Sequence, residues 1–302
     1  MLHTNVSTDG MPIDLLFVRH GQSESNVLVE RRKNGKQITD DFATVPDNSW
    51  RLTAKGAKQA EVTGDYIRDN FPDGFNHHFL SPFVRTRETA ARLNLSGAEW
   101  EENRMLRERS WGEIDGLSIQ EFENIYPHNS MLKEKDPIYW VPPAGESLAS
   151  VAENRSSNFL RSLEVSASGD TVLAVTHGEF IKTVRMILEQ WSDETFYLME
   201  VDPSEMIHNC EVIHYSRRDP STGLISNRIK WIKRSYPAEN SYGFVEIVEG
   251  SWRELRGKRK LSNDELLSVA LAQEKRLVDV ELIRAERSHR DLTPEELTCD
   301  AV

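Results

Sequence analysis

The chain has 302 residues, 28% of them charged and 38% hydrophobic, as in a soluble globular protein of one large domain or two modest ones. Its net charge of −12, from 37 Lys+Arg against 49 Asp+Glu, argues against nucleic acid or an anionic membrane as a partner. The two cysteines, Cys210 and Cys299, lack motif spacing, which excludes a disulfide framework and a cysteine-based zinc site and fits a reducing compartment.

Residues 1–10 are polar and expected to be loose. They have neither a basic n-region nor an apolar h-region, and no apolar run approaches the ~20 residues of a membrane span. A cytoplasmic protein with no membrane partner is the expectation. Asp14 to Val18 reads as a buried strand, ended by Gly21. Between Asn26 and Leu52 the chain is polar and charged, an excursion over the surface with one short helix.

Next comes a helix with Ala57, Ala60, Gly64 and Ile67 on one face, and then the short strand HHFLSP, stopped by Pro82. The adjacent His77 and His78 point to opposite faces of that strand, one exposed and one packed, which speaks against a metal pair. RTRETAARLN is a helix, and SIQEFENIYP opens with a capping box, Ser118 and Glu121. ESLASVAENRSSNFLRSL is an amphipathic helix that turns Leu148, Val151, Phe159 and Leu163 inward. TVLAVTHGEFIKTVRMILEQW is a buried strand, a Gly turn and a helix using Phe180, Val184, Ile187 and Trp191.

CEVIHY and LISNRIKWIKRSY form a closing antiparallel hairpin. The alternation of strands and helices predicts an α/β fold, a three-layer α/β/α sandwich with a mostly parallel central sheet. It occupies residues 11–237. Residues 238–302 form a charged helical C-terminal extension, with a helix over 262–290 started by a second capping box, Ser262 and Glu265. That extension either packs back on the domain or joins two copies into a homodimer.

Two strands end alike, LLFVRHG at His20 and VLAVTHG at His177. In a parallel sheet both ends lie on one edge, where ligands of open α/β sheets bind. The ordinary alternative is a core histidine beside a snorkelling arginine. Arg85 follows another strand stop near a helix start, which favours anions. Arg19, Arg85 and Asn26 thus supply multi-donor contacts to a tetrahedral oxyanion, whereas Arg87 is expected to be structural. In LRERSWGEIDG, Glu108 beside Trp111 is a candidate proton donor, since a carboxyl near apolar rings has a raised pKa; the alternative is a surface glutamate. THGE contains H-x-E, but no P-C-x-x-C follows, so a zinc deaminase is excluded. Neither a P-loop, a dinucleotide fingerprint, H-E-x-x-H nor a nucleophile elbow is present.

RHGQSESN resembles the R-H-G-x-S-x-x-N signature of the histidine phosphatase superfamily, also called phosphoglycerate mutase-like. The likeness continues in order through LTAKGAKQA, SPFVRTRETA, LRERSWGEIDG, PPAGESLASVAENR and VLAVTHGEF, over roughly residues 13–235. It implies that His20 is a nucleophile forming a phosphohistidine, that Arg19, Asn26, Arg85, His177 and Gly178 surround the phosphoryl group, and that Glu108 is the general acid/base. The implied substrate is a small phosphorylated molecule, with no cofactor and no metal. Mutases of the family carry a tryptophan before the signature asparagine and then a G-W motif. Here Ser25 stands there and no G-W follows, which points to a phosphatase. A phosphoglycerate mutase-type phosphotransferase and a non-catalytic phospho-ligand-binding scaffold are the alternatives. Specificity is expected to reside in residues 27–50 and 117–145, where Arg31, Arg32, Lys33 and Lys36 either meet further phosphates or form a solvated patch.

Overall fold

The computed structural model describes residues 10–34, 45–255, 257 and 261–274. It divides into two units, residues 1–256 and 257–302. The first begins with β1 (Asp14–Arg19), whose run Leu15–Val18 is fully buried, followed by α1 (Glu24–Lys33), capped by Ser23. A 3-10 turn (Asp47–Ser49) precedes α2 (Ala54–Asn70), which buries Gly56, Gln59, Ala60, Thr63, Gly64 and Ile67. The buried face is thus rotated slightly from the expected one, and Ala57 is only half-buried.

The chain continues through β2 (His77–Leu80), α3 (Val84–Leu93), β3 (Trp100–Glu102), α4 (Ile119–Ile125) and α5 (Pro127–Lys135). The expected capping box of Ser118 and Glu121 starts α4. His77 is half-buried and pairs with Asp170 at 2.9 Å, whereas His78 packs between Phe75 and Trp100. Where one amphipathic helix is expected, α6 (Leu148–Val151) and α7 (Ser157–Ser166) are joined by a π turn (Ala152–Ser156). Leu148, Val151, Phe159 and Leu163 all point inward, as expected.

β4 (Thr171–Thr176) leads into α8 (Gly178–Leu188), then α9 (Asp193–Val201) and the strands β5 (Val212–Ser216), β6 (Trp231–Glu239), β7 (Val245–Glu249) and β8 (Arg253–Glu254). The sheet order is β3-β2-β4-β1-β5-β6-β7, with β8 also on β6. The four strands from β3 to β1 run parallel, and the rest are antiparallel. Successive residues of a strand face opposite sides, and the two cores follow that period. Leu15, Phe17, Val172 and Ala174 pack with Phe159 and Phe180 on one face, while Leu16, Val18, Leu173 and Val175 pack with Ile67 and Leu93 on the other. The result is a helix–sheet–helix sandwich.

The boundary expected at 237 falls inside β6, and β7 and β8 beyond it also belong to the sheet. Proline reads as a strand stop because it donates no ladder hydrogen bond. Here β5 begins at Val212 opposite Ser235, so Pro237 is flanked only by Ile247 of β7. In the second unit, α10 (Asn263–Glu274) starts with the expected capping box, Ser262 and Glu265. Residues 1–9, Lys36, Cys299 and 275–302 lie outside the described residues. Among the described residues, no helix is long and apolar enough to cross a membrane.

Candidate active site

The parallel pairing of β1 with β4 sets Arg19 beside Thr176, and the amide of His20 donates to the Thr176 carbonyl at 2.9 Å. The next residue on each strand is a histidine, so the rings of His20 and His177 meet edge to face with centroids 5.2 Å apart. Gly21 stands where the chain leaves β1 against α2. A Cβ on Gly21 would lie 2.4 Å from the Gly56 carbonyl oxygen, and one on Gly56 would lie 2.0 Å from that of Gln22. Close approach, rather than a left-handed turn, requires both glycines.

His20 Nδ1 lies 2.8 Å from the Gly21 carbonyl oxygen, and Arg85 Nε donates to His20 Nε2 at 3.3 Å. These partners assign the proton to Nδ1 and a lone pair to Nε2. Burial, and then the charges of Arg85 and Arg19, hold the ring well below the ordinary histidine range, so it is neutral at neutral pH. His177 is depressed for the same leading reason; its Nε2 lies 2.8 Å from Ser81 Oγ.

Arg85 is the second residue of α3 and is buried. Its Nη1 and Nη2 take the Asp47 carboxylate at 3.1 and 3.3 Å, so an incoming anion shares or displaces Asp47. Arg19 Nη1 donates to the Ile207 carbonyl at 2.5 Å. Arg19 Nε and His177 Nδ1 are buried without a protein partner among the described residues. Such orphaned polar atoms are rare in folded proteins, and both groups remain able to bond a polar ligand. Gly178 opens α8 against the Arg19 guanidinium, and first-turn amides have no intrahelical acceptor.

Asn26 sits differently from the expected oxyanion donor. Its Oδ1 accepts the Ser23 amide at 3.1 Å and Asn209 Nδ2 at 3.2 Å, which leaves only its NH2 group to donate. Asn209 in turn donates to the His20 carbonyl at 3.1 Å. Arg87 turns away and pairs with Glu102 at the surface, as expected. Of the basic cluster on α1, Arg32 pairs with Glu121 at 2.9 Å.

Glu108 is half-buried. Loss of solvent, and then the Glu179 carboxylate, push its carboxyl up to about 7. The expected influence of Trp111 takes a different form, because that ring carries the Arg109 guanidinium 4.4 Å from its centroid. Glu179 is held ionised, down at about 2 against its burial, by Lys182 and Arg109. Arg155, delivered by the π turn, donates to the carbonyls of Met105, Arg107 and Glu108 and to Glu146 Oε2 at 2.8 Å. Glu146 Oε2 also accepts the Ser110 amide at 2.9 Å, so the pair grips the Glu108 segment from both sides.

Sequence reading missed Ser81, Asp47, Arg155 and Glu179. Only Glu179 had a visible signal, a carboxylate two residues after His177 in a helix's first turn. A cavity of about 640 Å³ opens from Arg19, Glu108 and Gly178 toward α8 and α9.

Two neighbouring histidines, two arginines and a carboxyl group with a raised pKa thus gather at one edge of the sheet, an arrangement that can hold an oxyanion. The family model described as Histidine phosphatase superfamily (branch 1) matches residues 15–222, and the chain belongs to that superfamily. A 2,3-bisphosphoglycerate-dependent phosphoglycerate mutase of Cytophaga hutchinsonii is 32% identical over 188 residues, spanning 61% of this chain and 80% of that protein. Another, mutase 2 of Gloeobacter violaceus, is 31% identical over 195 residues, 62% of this chain and 81% of that one. Among solved structures, the fold is similar to a mycobacterial glucosyl-3-phosphoglycerate phosphatase complexed with VO3 (TM-score 0.53, 21% identity, 67% of this chain and 92% of that one). It is also similar to an Entamoeba histolytica phosphoserine phosphatase in complex with 3-phosphoglyceric acid (TM-score 0.51, 23% identity, 68% of this chain and 90% of that one).

Proposed function

We propose that this chain is a phosphomonoester hydrolase that forms a phosphohistidine on His20. The observation that carries the reading is the neutral ring of His20, with Nδ1 committed to the Gly21 carbonyl and the Nε2 lone pair beside Arg85. His20 Nε2 attacks phosphorus in line, the bond to the ester oxygen breaks, and Glu108 gives its proton to the leaving alkoxide. Charge on the equatorial oxygens is met by Arg19, Arg85, the amide group of Asn26, the Gly178 amide and His177, whose Nδ1–H donates if Nε2 accepts from Ser81. Water then attacks phosphorus as Glu108 takes its proton, the N–P bond breaks, and inorganic phosphate leaves.

A mutase reading is favoured by the curated relatives, which are named as phosphoglycerate mutases at 31–32% identity. Ser25 in place of a tryptophan, and the missing G-W, favour hydrolysis. The test is acid-labile labelling: enzyme quenched during turnover of a 32P-phosphomonoester carries label on His20, and EDTA leaves turnover unchanged. Bisphosphate-dependent interconversion of 2- and 3-phosphoglycerate would instead establish the mutase. Binding of phosphorylated ligands without label would leave the scaffold reading.

A further inference from the structure

The cavity beside the proposed reaction centre has a charge pattern that bears on the rest of the substrate. Its acidic lining residues are Glu108, Glu179, Glu200, Asp202 and Glu205; its cations are Arg19, Lys182 and Arg185. Arg19 lies at the phosphoryl end. Lys182 is bridged at 2.9 Å by both Glu179 and Glu200, so one ammonium faces two carboxylates. Arg185 is saturated by Glu189 at 2.7 Å and Glu205 at 2.7 Å. Arg109 lies behind Trp111 and is spent on Glu179.

Among the described residues lining the cavity, every cation away from the phosphoryl end is therefore matched by carboxylate. A second anionic group on the substrate would find no unpaired cation and would meet the exposed carboxylates of Glu200 and Asp202, while Glu205 is shared between Arg185 and Arg234 and Glu179 between Lys182 and Arg109. The cavity is also roomy, about 640 Å³, within the ~300–1,000 Å³ typical of sites for drug-sized ligands. Trp111, Trp191, Met199, Met206 and Ile207 add apolar surface to its lining.

We propose that the physiological substrate is a phosphomonoester whose organic part is bulky and uncharged or cationic, and that the Glu179–Lys182–Glu200 wall rejects phosphorylated acids and bisphosphates. The inference rests on the phosphatase reading above and extends it to the substrate class.

The experiment compares kcat/KM for phosphocholine and 2-phenylethyl phosphate with that for 3-phosphoglycerate and 2-phosphoglycolate, all esters of primary alcohols. The first pair should exceed the second by about tenfold or more, equivalent to ~1.4 kcal/mol, and added salt should narrow the gap. Glu200→Lys, at an exposed position on α9, should raise kcat/KM for the two acids about tenfold relative to that for 2-phenylethyl phosphate. Equal or better turnover of the acids by the unaltered enzyme overturns the proposal, as does a Glu200→Lys variant that leaves their relative kcat/KM unchanged. No turnover of any of the four, with no label on His20, overturns the phosphatase reading itself and this proposal with it.

Discussion

Arg85 Nε donates to His20 Nε2 at 3.3 Å, so the guanidinium that meets the Asp47 carboxylate also holds the imidazole ring. On the mechanism proposed above, removing it takes away both a positive charge for the transition state and the group that orients the nucleophile. Arg85→Ala is expected to lower kcat/KM by about 10²–10³, the loss typical of one oxyanion donor, and His20→Ala to abolish turnover and labelling. Arg87→Ala is expected to stay within about fivefold, since an exposed pair contributes ~0–1 kcal/mol. Steady-state kinetics on one ester check all three, and equal losses at 85 and 87 would undo the assignment.

The pH dependence follows from Glu108. A general acid must be protonated, and this carboxyl has been pushed up to about 7. Turnover limited by leaving-group protonation therefore falls as pH rises through about 7. Glu179→Gln removes one of the two causes, leaving burial, so the alkaline limb of the kcat profile moves to lower pH. Comparing variant with parent cancels the substrate's own ionisation, which also falls near pH 6.

Arg155 grips the carbonyls of residues 105, 107 and 108, and on the mechanism proposed above it positions the acid from a distance. Misplacing a catalytic group by ~1 Å can cost about 10² in rate. Arg155→Met is expected to slow phosphorylation of His20 by alkyl esters about 10²-fold in rapid-quench experiments. An aryl ester, whose oxygen leaves without protonation, should be nearly spared. Arg155→Lys should restore part of the loss, and an equal loss with both esters would mean general unfolding of the site.

The contact between Gly21 and Gly56 is a stability determinant. Gly56→Ala would place a methyl 2.0 Å from the Gln22 carbonyl oxygen, where neither backbone can yield easily. Overpacking of this kind costs ~1–3 kcal/mol, so thermal denaturation should show a midpoint several degrees lower. An unchanged midpoint would show that α2 shifts freely.

The apolar runs before His20 and His177 made two adjacent strand ends readable, because a buried parallel strand is written as a continuous hydrophobic stretch. Arg85 was readable from its place after a strand stop. Arg155 was not, because its effect depends on the π turn at Ala152–Ser156, and Leu148, Val151, Phe159 and Leu163 keep a spacing that an unbroken helix would also give. Asp47 acts through a single tertiary contact that no local pattern encodes. The continuation of the sheet beyond Pro237 was hidden for a related reason: proline reads as a break until it is known which flank of the strand is unpaired.

The pairing of β1 with β4 has a consequence for biosynthesis. Arg19 and His20 emerge from the ribosome well before His177 and the opening of α8, with β2, β3 and the helices α1 to α7 between them. Long-range pairings of this sort are slow to form, because loop closure must precede the contact. The nascent chain therefore carries His20 through all the residues that separate it from His177 without its partner ring, and assembly of the site proposed above marks the moment the two central strands meet.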